Sequence, residues 1–132
     1  EFRGILNMEV DGQKLITFVL FGLPALDSTL ALDGPLAHRV AIRYQLQSFT
    51  EAITKDYILF RLHVAGSQQN PFTPEAIAAV HRCTGGIPRL INTLCDNALL
   101  EGFLHKRETI DEGLIHEIAN DLKLTTPLAS AA

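Results

Sequence analysis

Two glycines and a proline interrupt two segments with helical apolar spacing, in the order Gly85-Gly86-Ile87-Pro88. Glycine adopts positive φ at little cost and therefore often ends a helix, whereas proline fits the first turn of the next, where its missing N–H is not needed. The sequence thus predicts that one helix ends at the glycine pair and that another begins at once. This break constrains the fold more than any other feature, because it allows only a tight helix–turn–helix.

Arg89 follows the proline and lies in the first turn of the predicted second helix. That end of a helix carries free N–H groups and a partial positive charge, so an added cation is unfavourable there on its own. An anion would relieve this conflict, and phosphate is the usual candidate. From the local sequence alone, the alternative is a tight helix–helix turn with a solvated arginine.

Helix patterns dominate the sequence from Ser48 onward, and we expect four helices. Three of the predicted helix starts carry a capping signal, which is either a hydroxyl residue followed three positions later by glutamate, or a threonine before proline. These signals are Ser48 with Glu51, Thr73 with Pro74, and Thr109 with Glu112.

The first of these helices has a regular apolar stripe. Its members recur at intervals of four, three and four positions, which is the spacing of one helical face. This spacing gives the helix one apolar face. The stripe consists of Ile53, Tyr57, Phe60 and Val64.

The first 47 residues contain two strand patterns. Residues 15–21 are apolar almost throughout and rich in β-formers, as is typical of a strand buried on both faces. Residues 40–46 alternate apolar and polar side chains, which indicates a second strand. Two such strands do not form a stable sheet alone, so we expect partner strands upstream or in another copy of the chain.

These patterns predict a mostly α-helical chain with two β-strands. Residues 1–47 would carry the strands, with a helix over residues 1–9 and short helical turns over residues 25–36. Residues 48–124 would form a domain of four helices. Residues 125–132 would be a flexible tail.

The acidic balance of the chain restricts its partners. With a net charge of −4 over 132 residues, the chain lacks the clustered lysines and arginines on which binding to nucleic acid or an anionic membrane depends. Its longest apolar run, residues 16–26, is too short to span a bilayer. We therefore expect no nucleic-acid partner and no membrane span in these residues.

The two cysteines, Cys83 and Cys95, both fall on helical patterns, which favours reduced thiols over a disulfide framework. Cys95 lies in the apolar stripe of its helix and is expected in the core. His81 with both cysteines would not make a zinc site, because the spacing matches no zinc pattern and a fourth ligand is not evident. No metal site is expected.

Three segments together resemble the second, C-terminal half of an AAA+ ATPase. They are FVLFGLPALD, LAHRVAIRYQL and FTPEAIAAVHRCTGGIPRLINTLCDNALL, and GGIPRLIN is the most specific part. The chain is most similar to the family of secretion and pilus-biogenesis ATPases that includes general secretion pathway protein A. The resemblance implies that residues 1–47 are a remnant of the AAA+ α/β core, and that the four helices form its lid domain.

The resemblance also implies roles for two arginines. Arg89 matches the sensor-2 arginine, which reaches from the lid to the nucleotide phosphates, and Gly85, Gly86 and Pro88 would form the turn that presents it. Arg39, just before the second predicted strand, matches the arginine finger that enters the ATP site of a neighbouring subunit. Arg43 is the nearby alternative candidate for the finger. From the residues alone, Arg39 and Arg43 are also consistent with ordinary charged surface side chains.

The chain departs from the AAA+ pattern in ways that bear on activity. It contains no P-loop of the form GxxxxGK[ST] and no acidic Walker-B pair, both of which phosphoryl transfer requires. Leu23, at the expected sensor-1 position, cannot hydrogen-bond a phosphate. We therefore expect these residues to be inactive alone and to bind no nucleotide tightly. ATP and Mg²⁺ would be cofactors of the full-length protein only.

By resemblance, the full-length protein would form a homo-oligomeric ring and act with secretion or membrane-assembly components. Its ATPase portion would lie in the cytoplasm, at the face of the inner membrane. The alternative is a helical protein–protein interaction module with no nucleotide role.

Overall fold

The computed structural model describes residues 9–10, 13–14 and 16–124. The helix predicted over residues 1–9 lies outside these residues except at its last position, and the predicted tail at 125–132 lies wholly outside them. The chain divides into two compact units after Leu46. No helix within the described ranges is both long and apolar enough to cross a membrane.

The N-terminal unit contains short elements only. Strands β1 (Glu9–Val10) and β2 (Gln13–Lys14) form an antiparallel pair of two residues each. Helix α1 (Ala25–Ala31) and helix α2 (Gly34–Ala37) follow. The side chain of Asp33 caps α2 by accepting a hydrogen bond of 3.2 Å from the backbone N–H of Leu36.

The prediction of two β-strands in an AAA+ core remnant was wrong. Residues 16–21 and 40–46 have no regular secondary structure, and residue 15 lies outside the described part of the chain. Their large apolar side chains are mostly exposed, with Phe21 at 85% and Ile42 at 84%. Apolar runs form strands only when neighbouring strands pair with their edges and cover their faces, and the described residues supply no such neighbours.

The C-terminal unit consists of helices α3 (Glu51–Val64), α4 (Pro74–Thr84), α5 (Pro88–Leu104) and α6 (Glu112–Asp121). Helix α4 packs against the other three, and most extensively against α6. Its alanine-rich inner face lets the neighbouring helices approach closely. The largest fully buried side chains are Ile91, Leu94, Ile115, Val80 and Thr54.

The segments before α4 and α6 are joined to each other by backbone hydrogen bonds. Phe72 and Ile110 form an isolated parallel bridge. The N–H of Ile110 donates to the carbonyl of Pro71 at 2.8 Å, and the N–H of Thr73 donates to the carbonyl of Ile110 at 3.0 Å. These bonds fix the starts of the two helices side by side, and Phe72 and Ile110 themselves belong to the buried core.

Two of the three predicted helix caps were wrong by two residues. Thr73 caps α4 as expected, but Thr50 caps α3 in place of Ser48, and Asp111 caps α6 in place of Thr109. In both cases a second capping side chain lies closer to the first helical turn. Because a cap must reach an N–H three residues ahead, that nearer residue takes the position.

The apolar face that the sequence indicates on α3 is not the face that the helix buries most deeply. The helix instead buries Thr54 and Ile58, which are 0% and 4% exposed. Within the stripe, Ile53, Phe60 and Val64 remain 48%, 62% and 66% exposed. Apolar residues lie on both sides of α3, so periodicity located a face without identifying the one that the fold buries.

Candidate functional site

The turn between α4 and α5 has the conformation that its glycines predict. Gly85 ends α4 in the left-handed region, with φ +59°, and its N–H donates to the carbonyl of His81 at 2.9 Å. Gly86 follows with φ +72°. Pro88 is then the first residue of α5. The chain thus passes from one helix to the next within three residues, as the local sequence indicates.

Gly86 also lies against the segment that precedes α3. The N–H of Phe49 donates to the carbonyl of Gly86 at 2.8 Å. A Cβ atom at position 86 would overlap the carbonyl oxygen of Phe49 and lie only 2.9 Å from its carbonyl carbon and amide nitrogen. Position 86 therefore needs glycine for close approach as well as for positive φ, and the sequence reading found only the second reason.

Arg89 is the second residue of α5 and is exposed to solvent. Ile87, at the N-cap position, gives no side-chain cap, and the first turn of α5 contains no acidic residue. Among residues 16–124, no side chain forms an ion pair with Arg89. The guanidinium group carries a positive charge, and the N–H groups of this helix end carry a partial positive charge. Both are hydrogen-bond donors that face solvent, an arrangement suited to binding an anion.

The first turn of α5 is anchored to α3 by side chains. The hydroxyl of Tyr57 donates to Oδ1 of Asn92 at 3.1 Å. The rings of Phe49 and Tyr57 meet edge to face, with centroids 5.3 Å apart. Thr93 donates from Oγ1 to the carbonyl of Arg89 at 3.0 Å. The helix turns that carry Arg89 are thus joined to α3 through Asn92, and the Thr93 hydroxyl adds a bond within α5.

The other predicted site residues belong to the N-terminal unit. Arg39 is exposed in the turn after α2, where its N–H donates to the carbonyl of Leu36 at 3.0 Å, and no strand follows it. The Nη2 group of Arg43 donates to the carbonyl of Ala37 at 3.4 Å. Leu23 is exposed and offers no polar side-chain atom. The structure therefore groups Gly85, Gly86, Pro88 and Arg89 in one turn, and has Arg39 in the other unit.

A polar cluster that the sequence reading missed joins the end of α4 to α6. Sγ of Cys83 lies 3.8 Å from Nδ1 of His116, whose Nε2 lies 3.3 Å from Oε1 of Glu112. Arg82 forms an ion pair of 2.6 Å with the same carboxylate oxygen. Burial raises the pKa of Cys83 above its ordinary value, and Glu112 adds to this effect while Arg82 opposes it. This shift favours the thiol over the reactive thiolate.

Both cysteines are free thiols, and they differ in environment. Cys95 is buried in the core, as predicted, and burial with a smaller contribution from Asp96 raises its pKa to about 12. Within the described residues, no group of three or more histidine, cysteine, aspartate or glutamate side chains is arranged to hold a metal ion.

Comparison with known proteins gives one informative relative. General secretion pathway protein A of Aeromonas hydrophila is 42% identical to this chain over 115 residues, which are 86% of this chain and 21% of that protein. No protein-family model matches the chain. No solved structure matches it either. The chain thus spans about a fifth of the length of this relative. The resemblance read from the GGIPRLIN region is confirmed, and the chain is a relative of general secretion pathway protein A.

Proposed function

We propose that residues 48–124 are the lid of an AAA+ ATPase related to general secretion pathway protein A, and that Arg89 senses the phosphates of the bound nucleotide. The observation that carries this proposal is the position of Arg89, which is exposed in the first turn of α5 with no capping side chain and no acidic neighbour in that turn. A phosphate oxygen beside this helix end would satisfy both the guanidinium and the free N–H groups.

The anchoring of the turn supports phosphate sensing over the alternative of a solvated surface arginine. A sensor must place its charge reproducibly, because electrostatic stabilisation depends on donors that are already oriented. The Phe49–Gly86 hydrogen bond and the Tyr57–Asn92 hydrogen bond fix the backbone around Arg89.

In the full-length protein, the nucleotide and Mg²⁺ would be bound mainly by residues outside this chain, which contains no P-loop. Arg89 would contribute a forked, permanently charged donor from the lid. Arg39 would act in trans, as the finger of a neighbouring subunit in a ring. We further propose that the ATPase acts with secretion or membrane-assembly components, from the cytoplasmic side of the inner membrane.

The test is ATP turnover by the full-length protein carrying Arg89→Ala. We expect turnover to fall by roughly 10- to 1000-fold, by analogy with the loss of a single electrostatic donor to a transition state. Arg89→Lys should recover part of the activity, because it keeps the charge and loses the fork. Arg107→Ala is the matched control, since Arg107 is also exposed in the same unit and follows the other end of α5.

Folding of each variant is checked by circular dichroism and thermal unfolding. An exposed side chain in a first helical turn contributes little to stability, so Arg89→Ala should unfold at nearly the temperature of the parent protein. Unchanged turnover in a well-folded Arg89→Ala protein would show that Arg89 is a solvated surface residue with no part in turnover.

A further inference from the structure

Helix α3 carries two hydroxyl side chains that contact the helices on either side of the glycine turn. Thr54 and Tyr57 are three positions apart and therefore lie on one face of α3. Oγ1 of Thr54 lies 3.1 Å from Nδ1 of His81, in the last turn of α4. The hydroxyl of Tyr57 donates at 3.1 Å to Oδ1 of Asn92, which follows Arg89 by three residues on α5. One face of α3 thus contacts both the end of α4 and the start of α5.

Packing alone does not explain the threonine on this face. Among residues 16–124, the buried polar side chains are Thr54 and Thr84, at 0% and 2% exposure. The hydroxyl of Thr84 donates to the carbonyl of Val80 within its own helix, whereas that of Thr54 pairs with a side chain on another helix. Replacing a buried hydrogen-bonded pair by apolar groups of the same shape is often nearly neutral for stability. What a threonine adds at this position is therefore a directed link to α4.

The segment before α3 holds the middle of the same turn. The N–H of Phe49 donates to the carbonyl of Gly86 at 2.8 Å, and the ring of Phe49 packs on that of Tyr57. A single bond at Gly86 fixes one point of the turn and leaves the angle between α4 and α5 undefined. The two hydroxyls supply one further contact to each helix, and three fixed points define that angle.

Building on the phosphate-sensing role proposed for Arg89, we propose that Thr54 and Tyr57 are its positioning residues. Their hydroxyls set the angle at which α5 leaves the turn, and with it the direction of the guanidinium group. Thr54 is fully buried and the hydroxyl of Tyr57 is engaged by Asn92, so both act through the helices of the turn and not by contact with the nucleotide.

Tyr57→Phe tests this role in the full-length protein, because it removes the hydroxyl and keeps the ring against Phe49. We expect ATP turnover to fall roughly 2- to 12-fold, the change in population that corresponds to the net strength of one hydrogen bond. Tyr44→Phe is the matched control, since it makes the same change in a side chain that is 83% exposed in the other unit, and it should leave turnover unchanged. Unchanged turnover in a folded Tyr57→Phe protein would overturn the positioning role of Tyr57.

Two substitutions at Thr54 separate its hydroxyl from its packing. Thr54→Val keeps the volume and loses the hydroxyl, whereas Thr54→Ser keeps the hydroxyl and loses a buried methyl group. We expect turnover to fall roughly 2- to 12-fold in Thr54→Val and to stay near the parent value in Thr54→Ser. Thermal unfolding should show that Thr54→Ser folds and is destabilised by the missing methyl group. Turnover lost in Thr54→Ser and kept in Thr54→Val would show that this position serves packing only.

An Arg89→Ala background shows whether Tyr57 acts through Arg89. Once the guanidinium group is removed, its direction no longer matters, so adding Tyr57→Phe should lower the remaining turnover no further. A general weakening of the lid would lower turnover by the same factor in both backgrounds, and that result would overturn the proposal. If Arg89→Ala alone leaves turnover unchanged, phosphate sensing itself fails, and positioning for it fails with it.

Nuclear magnetic resonance of the 132-residue chain tests the contacts without any nucleotide. Residual dipolar couplings of the backbone N–H groups measure the angle between α4 and α5, and ¹⁵N relaxation measures their order. We expect order parameters of about 0.85, typical of rigid backbone, for residues 89–92 of the parent chain, and lower values with altered couplings in Tyr57→Phe and in Thr54→Val. Tyr44→Phe should match the parent. Unchanged couplings and order in both variants would overturn the positioning role and leave phosphate sensing by Arg89 standing.

Discussion

Gly86→Ala is the substitution whose effect the structure defines most sharply. Gly86 has φ +72°, so alanine there adopts a left-handed conformation that costs roughly 1–2 kcal/mol. The added Cβ also overlaps the backbone of Phe49, which must then move away. That movement breaks the hydrogen bond from Phe49 to Gly86, worth about 0.5–1.5 kcal/mol.

Displacing Phe49 has a further cost. Its ring packs edge to face on Tyr57 with centroids 5.3 Å apart, and such a pair is worth about 0.5–1.5 kcal/mol beyond its buried area. Together the three contributions predict a loss of about 2–5 kcal/mol in the free energy of unfolding, which is a large fraction of the stability of a small domain.

Gly85→Ala is the matched control, because Gly85 has φ +59° and a Cβ there meets no atom within 4 Å. We expect it to lose only the conformational cost, roughly 1–2 kcal/mol. Urea unfolding followed by circular dichroism measures both variants, and the slope of free energy against urea should stay constant. Equal losses in the two variants would show that the contact with Phe49 does not stabilise the fold.

Three further predictions concern chemistry. The chain alone should show no ATP hydrolysis above background and very weak nucleotide binding by calorimetry, because it contains no P-loop; metal-dependent turnover by the purified chain would refute this. In the full-length protein, Arg39→Ala subunits should bind ATP but lack turnover, and mixing them with subunits that have a disabled P-loop and intact Arg39 should restore part of it if the finger acts in trans. Cys95, with a pKa of about 12, should be alkylated near pH 8 about 1000-fold more slowly in the folded chain than in urea, because less thiolate is present. Mass spectrometry of timed samples gives both rates for Cys95, and a difference below tenfold would contradict the burial of its thiol.

The turn that carries Arg89 was predictable because its rules are local. Positive φ at Gly85 and Gly86, and proline at the start of α5, follow from the stereochemistry of those residues alone. The contact between Gly86 and Phe49 was not predictable, since it joins residues far apart in the chain. The caps show the same limit on a smaller scale, because neighbouring hydroxyl and carboxylate residues compete for one position.

The predicted strands failed for a different reason. An apolar run has no strand geometry of its own, since a strand is held by hydrogen bonds to its neighbours and by burial of its faces. Residues 16–21 and 40–46 have the composition and alternation of strands, and the described residues contain no sheet for them to join. A strand pattern depends on distant partner strands, whereas the glycine turn depends only on local backbone angles. The sequence therefore predicts the turn more reliably than the strands.

Helix α3 shows what periodicity can and cannot decide. The stripe from Ile53 to Val64 is the more regular of its two apolar faces, yet the helix buries Thr54 and Ile58. Burial of Thr54 is permitted because its hydroxyl lies 3.1 Å from Nδ1 of His81 on α4, so the polar group has a partner. The competition between the two faces was thus settled by a contact to another helix. A regular apolar stripe left outside the core of its unit therefore indicates a contact outside that unit.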